Sequence, residues 1–466
     1  MVFSSLEFIF VFLASVLAVY YLVPPKASNI VLLLFSLVFY GWGEPVYIFL
    51  MIATITVDYI CGYIIGRDLD SKPKRAKVTL IVSIVINLAL LGVFKYYDFF
   101  AGTLNSLLGR GVFPTLGLTL PIGISFYTFQ ALSYVIDVYR RDARVQKNIA
   151  AFGTYVTLFP QLIAGPIVRY ADVDDQLRER THSLTLFASG CRTFICGLAK
   201  KILLANAAGA MWNSLSAAAE PDALGAWLAI VFYTFQIYFD FSGYSDMAIG
   251  LGKMFGFSFR ENFYYPYVSE SITEFWRRWH ISLSTWFREY VYIPLGGNRK
   301  GVGRTYFNLF CVWLLTGLWH GASWNFVLWG LYYFALLVIE KTFLLRLLER
   351  APKFLRHIYS MAAVIFGWLL FVIEDVSSIG AYLSRMFGGT GVFATQITVY
   401  ELVRNLMFLA ILILASTPAP KKLWYKLYSK GTPWRIVQSV VCAIAFVLCI
   451  AYLVDSSYNP FLYFRF

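Results

Sequence analysis

Gly317-Leu318-Trp319-His320-Gly321 sits near the middle of an apolar run in which no Asp, Glu, Lys or Arg occurs between Arg304 and Glu340. An ionisable side chain inside such a run is costly in a bilayer, so it reads first as functional, facing a cavity or a partner. Basic clusters flank the run, Arg299 to Arg304 before it and Lys341 to Arg356 after it, so the chain should enter and leave on one face. Two full crossings need roughly 40 residues. Residues 305–340 supply 36. The turn should therefore lie within or just across the bilayer, with His320 deep in the protein. Gly317 and Gly321 would let backbone or ligand approach the ring.

Upstream stands a second unusual block, Glu274-Phe275-Trp276-Arg277-Arg278-Trp279-His280, followed by Tyr292-Ile293-Pro294-Leu295-Gly296-Gly297-Asn298-Arg299. Together, 274–329 hold two of the four histidines in 466 residues. Residues 272–292 alternate Arg277, Arg278, Arg288 and Glu289 with Trp and Phe, the pattern of an interfacial helix with snorkelling arginines. The functional alternative brings His280 towards His320 from a neighbouring helix. Arg277, Arg278 and Arg288 then meet an anionic donor at the cytoplasmic mouth, where guanidinium pairs well with phosphate.

The chain as a whole is 59% hydrophobic and 14% charged, with a mean hydropathy of +0.65. That composition describes an all-α polytopic membrane protein. Length alone matches about a dozen spans with short loops, at about 20 residues each, and leaves room for no soluble domain. The net charge of +13 does not point to nucleic acid. Lys and Arg fall in short clusters between apolar runs (Arg67 to Lys77, Arg140 to Lys147, Lys421 to Arg435), the positive-inside signature of cytoplasmic loops. No continuous basic face or aromatic-basic module appears.

Placing those clusters inside predicts spans at about 5–23, 29–41, 46–66, 78–98 and 118–139. No Lys or Arg precedes Lys26, so the first apolar run lacks the charged start of a signal peptide and is expected to remain as a span. Both termini are expected outside, with Asn459 to Phe466 as an aromatic extracytoplasmic tail. Pro121 and Gly123 interrupt one segment, and Phe159-Pro160-Gln161 and Gly165-Pro166 the next. Broken helices survive at membrane depth only where protein or a water-filled cavity satisfies the freed backbone groups. There is no internal repeat or linker, so residues 1–466 read as a single domain.

The remaining chemistry is sparse. A neutral, buried imidazole at His320 suits a general base, and its nucleophile is most simply a substrate hydroxyl. The bland alternative is a satisfied structural histidine. Asp240 and Asp246 lie in an otherwise apolar segment and read either as structural ion-pair partners or as catalytic carboxylates. Trp319 and Asn325 are expected as supporting neighbours of His320. Ser242-Gly243-Tyr244-Ser245-Asp246 lacks the register of a nucleophile elbow, and Gly250-x-Gly252-Lys253 does not complete a phosphate loop. Six scattered cysteines form no Cys-x-x-Cys pair, and two histidines 40 residues apart give no metal-ligand spacing. No metal or bound cofactor is expected.

Phe275 to His280, Tyr292 to Arg299 and Gly317 to Ala322 resemble the membrane-bound O-acyltransferase (MBOAT) family, within it the bacterial AlgI-like polysaccharide O-acetyltransferases. Weaker support comes from Pro121 to Tyr139, Leu158 to Tyr170, Asp240 to Gly250 and Asn459 to Phe466. The resemblance implies a helical fold with broken helices around a central funnel or tunnel. In it, His320 matches the essential intramembrane histidine and His280 the second signature position. It further implies a cytoplasmic acyl thioester donor, acetyl-CoA or another, and an extracytoplasmic polysaccharide hydroxyl as acceptor in the bacterial inner membrane. An exoplasmic partner acyltransferase is implied as an intermediate carrier. The alternatives are a D-alanyl transferase of the DltB type acting on teichoic acid, a proton-coupled transporter or flippase using His320 and Asp240, and a non-catalytic scaffold.

Overall fold

The computed structural model describes residues 1–455, and the aromatic tail expected at Asn459 to Phe466 lies outside them. The described chain is helical, with no strand among the described residues. Among the described residues, eight helices are long and apolar enough to cross a membrane: Pro25–Gly43, Ile48–Asp68, Pro73–Leu108, Leu184–Ser216, Ala223–Met254, Lys353–Val372, Gln396–Ala415 and Thr432–Asp455. Three of the eight run for 32–36 residues, beyond the roughly 20 that a span needs, while the segments around the histidines are short and broken.

The contacts divide the chain into two compact units. The first comprises Met1–Phe194 and Ser245–Arg260. Its core is a cluster of phenylalanines: Phe8, Phe12 and Phe39 pack around Phe159, with ring centroids 5.2–6.1 Å from it. The expected interruptions are present. The span anticipated over 118–139 is helical only as Ile124–Arg140. Gly123 precedes it at φ +75, and a methyl group there would fall 2.7 Å from the Leu162 carbonyl oxygen. Likewise Ile149–Thr157 gives way at Leu158 to the one-turn helix Phe159–Leu162, which Pro160 can begin without losing a hydrogen bond.

The second unit comprises Ile195–Tyr244 and Glu261 to the end of the chain. Its centre is a helical hairpin, Val302–His320 and Trp324–Ile339, whose arms turn at Gly321-Ala322-Ser323. His320 is the last residue of the first arm. The arms meet at two glycines: a methyl group on Gly317 would lie 2.4 Å from the Phe326 carbonyl oxygen, and one on Gly330 would lie 2.4 Å from that of Trp313. Such small-residue contacts let helices approach where lipid gives no hydrophobic incentive to associate. Gly330→Ala is therefore expected to destabilise the protein by about 1–3 kcal/mol, read as a lowered thermal midpoint in detergent. An unchanged midpoint would mean that the arms do not depend on this close approach.

The stretch 272–292 is not the continuous interfacial helix its pattern suggests. It forms Ile272–Arg278 and Ile281–Phe287, then a π-helical turn over Arg288–Tyr292. Partners distant in sequence impose the break: the Tyr264 amide donates to the Arg278 carbonyl (2.9 Å), and the Ile281 amide to that of Asn262 (2.9 Å). His280 stands at the break.

Candidate active site

The sequence Ser271-Ile272-Thr273-Glu274 begins the short helix before His280 as a variant capping box. Ser271 Oγ accepts from the Glu274 amide (3.0 Å), and Glu274 Oε2 accepts from the amide of Glu270 (2.9 Å). The amides of Ile272 and Thr273 donate to the buried Glu340 carboxylate, at 2.6 and 2.8 Å. Thr273 Oγ1 and the Tyr359 hydroxyl donate to it as well. Glu340 directly follows the second arm of the hairpin. One carboxylate thus couples the His280 segment to the His320 hairpin.

His280 is 1% exposed and takes a left-handed backbone, φ +45 and ψ +54. Asn262 Oδ1 accepts from the Ser282 amide (3.1 Å) and from Ser282 Oγ (2.9 Å), and it lies 3.2 Å from His280 Nδ1. The Ser282 amide can only donate, so the atom it meets is the amide oxygen; Nδ1 facing that oxygen is assigned the proton, which leaves Nε2 its lone pair. Burial holds the imidazole well below the ordinary histidine range, which keeps it neutral. Nε2 is buried and has no hydrogen-bond partner among the described residues. It can accept a hydrogen bond from whatever enters the site.

His320 is 2% exposed. Trp319, Trp329 and Phe371 surround it, with ring centroids 5.1, 4.9 and 5.3 Å away, all nearly edge-on. Asn325 is fully buried on the second arm and donates Nδ2 to the Phe371 carbonyl (3.1 Å), fixing that wall. Trp319 joins the histidines, its ring 5.8 Å from that of His280 and 5.1 Å from that of His320. The histidines therefore share one aromatic wall, and the site combines a dry setting with two imidazoles.

The arginines fare differently from one another. Arg278 is held by Glu274 (2.7 Å) and stacks over Tyr264, and Arg288 pairs with Glu289 (2.7 Å). Arg277 is exposed and enters no ion pair among the described residues, so it is the most available for an anion. Asp240 forms a buried ion pair with Lys201 (2.6 Å), the form in which an intramembrane carboxylate is tolerated. Asp246 is half-buried on the same helix, in the part belonging to the first unit. Ser242 to Asp246 and Gly250 to Lys253 lie within the helix Ala223–Met254, so neither forms an elbow or a phosphate loop.

Sequence reasoning missed Asn262, Lys201, Glu340, Trp329 and Phe371. Lys201 is one of two adjacent cations, with Lys200, in an otherwise apolar stretch, a signal akin to that applied to Asp240. Ser271-x-x-Glu274 is a legible helix start inside what reads as one amphipathic run.

A many-spanning helical protein with a buried histidine at the turn of an uncharged hairpin, and a second beside it, has the plan of an intramembrane transferase. Residues 128–382 match MBOAT, the membrane-bound O-acyltransferase family, and the chain belongs to that family. It is 40% identical to the probable alginate O-acetylase AlgI of Pseudomonas putida over the whole of both chains. It is 34% identical to the peptidoglycan O-acetyltransferase of Helicobacter pylori, over 84% of this chain and 81% of that protein. Similarity to the teichoic acid D-alanyltransferase of Bacillus subtilis is 30%, over 48% of this chain and 59% of that one.

Proposed function

We propose that this multi-pass membrane acyltransferase moves an acetyl group from a cytoplasmic thioester, acetyl-CoA, to a hydroxyl of an extracytoplasmic polysaccharide, directly or through an exoplasmic partner protein. The observation that carries the reading is His320, buried at the break of an uncharged hairpin and sharing an aromatic wall with His280. In the step, His320 takes the proton of the acceptor hydroxyl as its oxygen attacks the thioester carbonyl. The C–O bond forms, the C–S bond breaks, and the leaving sulfur takes the proton back from His320 as a thiol. The neutral imidazole is restored. His280, with Nε2 open, accepts from the incoming hydroxyl or the donor and holds it in line, and Arg277 meets the donor's phosphates. The protein's contribution is proximity and exclusion of water.

The basic clusters support a bacterial inner-membrane location with both termini outside. The acetyl reading is favoured over D-alanyl by the full-length likeness to an alginate O-acetylase, against half-length likeness to the D-alanyltransferase. The test is thioester turnover by the full chain in proteoliposomes, offered radiolabelled acetyl-CoA or a D-alanyl carrier protein together with polysaccharide. Label from acetyl-CoA should appear as base-labile ester on the acceptor or a partner. Transfer from the carrier protein alone would install the D-alanyl alternative. Proton-driven uptake without thioester cleavage would make the chain a transporter.

A further inference from the structure

The transfer step puts negative charge on the thioester carbonyl oxygen as the hydroxyl adds to the carbon beside it. An imidazole lone pair does nothing for that charge. A hydrogen-bond donor stabilises it, most strongly where water is excluded. The wall beside His320 supplies one. Trp329 is fully buried on the second arm of the hairpin, its ring centroid 4.9 Å from that of His320. Its indole Nε1 is buried and meets no acceptor among the described residues. An indole N–H can only donate, and leaving it unpaired in a dry interior is costly.

The neighbours of Trp329 are ring faces and further donors. Trp276 and Tyr333 pack against it with ring centroids 5.5 and 5.2 Å away, and their own rings are 4.9 Å apart. Trp276 Nε1 and the Tyr333 hydroxyl are likewise buried without a hydrogen-bond partner among the described residues. Ring faces accept N–H groups only weakly, so they compete poorly with a carbonyl oxygen for the Trp329 proton. The fold also fixes where that proton sits. Gly330, the next residue, is where this arm lies against the Trp313 carbonyl, and the Phe371 ring closes on Trp329 at 5.5 Å. A donor in place before charge develops costs no reorganisation when it does.

We propose that Trp329 is a catalytic residue of the transfer, its indole N–H donating to the thioester carbonyl oxygen. The electron pair of the C=O bond moves onto that oxygen as the C–O bond forms and returns as the C–S bond breaks, while the indole keeps its proton. The inference rests on the reading above, in which His320 is the base and the donor is a thioester. It adds the group that bears the developing charge.

The experiment compares the full chain as wild type, Trp329→Phe, His320→Ala and a protein with 3-benzothienylalanine in place of Trp329, which keeps the indole shape and puts sulfur where the N–H was. Binding in nanodiscs is measured for two inert probes. One is the ketone analogue of acetyl-CoA with a methylene replacing the thioester sulfur; the other is S-ethyl-CoA, which lacks the carbonyl. The rate of ester-linked acetyl accumulation on envelope polysaccharide is measured in cells with matched amounts of each protein. Wild type should bind the ketone at least about threefold tighter than S-ethyl-CoA, and both Trp329 replacements should remove that preference while binding S-ethyl-CoA normally. Both should slow acetylation by about 10²–10³-fold, the larger effect because the charge is greatest in the transition state. His320→Ala should lose acetylation and keep the ketone preference. A benzothienylalanine protein that acetylates like wild type or keeps the preference overturns the proposal, and assigns any Trp329→Phe defect to packing. So does a wild type that binds the two probes equally, or a His320→Ala protein that loses the preference, which gives the carbonyl to the imidazole. Probe binding needs no turnover, so its failure is distinct from failure of acetyl transfer.

Discussion

His320→Ala is expected to lower acetyl transfer by about 10²–10⁴-fold, the range for removing a general base, while the protein accumulates normally in the membrane. Without the imidazole nothing in the aromatic surround of Trp319, Trp329 and Phe371 can take the hydroxyl proton. The fold should survive, because His320 ends its arm and the hairpin is held by the Gly317 and Gly330 contacts one turn and more away. His320→Gln fills most of the volume and provides the control for packing loss. The measurement is ester-linked acetyl on envelope polysaccharide in cells with matched amounts of each protein. Both variants should be silent. Undiminished acetylation in either would remove His320 from the chemistry and return weight to a transporter or scaffold.

Glu340→Ala should damage the protein by a different route. It strands two backbone amides, a threonine hydroxyl and a tyrosine hydroxyl that all donate to one carboxylate. Breaking a buried network from one side costs about 3–5 kcal/mol, so a large fall in thermal midpoint and in yield is expected. Glu340→Gln keeps the shape but turns an amide donor towards other donors, and it should fall between wild type and alanine. Its surviving protein should show reduced transfer with normal donor affinity, because the coupling of the His280 segment to the hairpin is loosened. If Glu340→Ala melts like wild type, the carboxylate does not hold the two histidine-bearing segments together.

The hairpin was legible in sequence because its evidence is local: 35 residues without Asp, Glu, Lys or Arg, basic flanks and two glycines near a histidine. The same holds for the breaks at Gly123 and Pro160, where residue type alone forbids an ordinary helix. The break at His280 was not legible. Arg277 to Glu289 carry a consistent amphipathic period, and it is Tyr264 and Asn262, more than a dozen residues upstream, that take the backbone out of the helix. Glu340 reads in sequence as the end of an apolar run, and only the fold shows the amides converging on it. Length alone could not show how the apolar chain is apportioned, because it does not distinguish one 36-residue helix from two short ones.

The backbone at His280 has a consequence for how this protein ages under selection. A side chain held at φ +45 costs about 1–2 kcal/mol relative to an ordinary helical geometry, and glycine escapes that cost. Glycine at position 280 would relieve that strain, but it would also empty the space of a buried side chain and take from Asn262 Oδ1 its imidazole donor. Heat tolerance alone therefore gives no incentive to discard the imidazole, and the strained backbone persists because the packing around the ring offsets it.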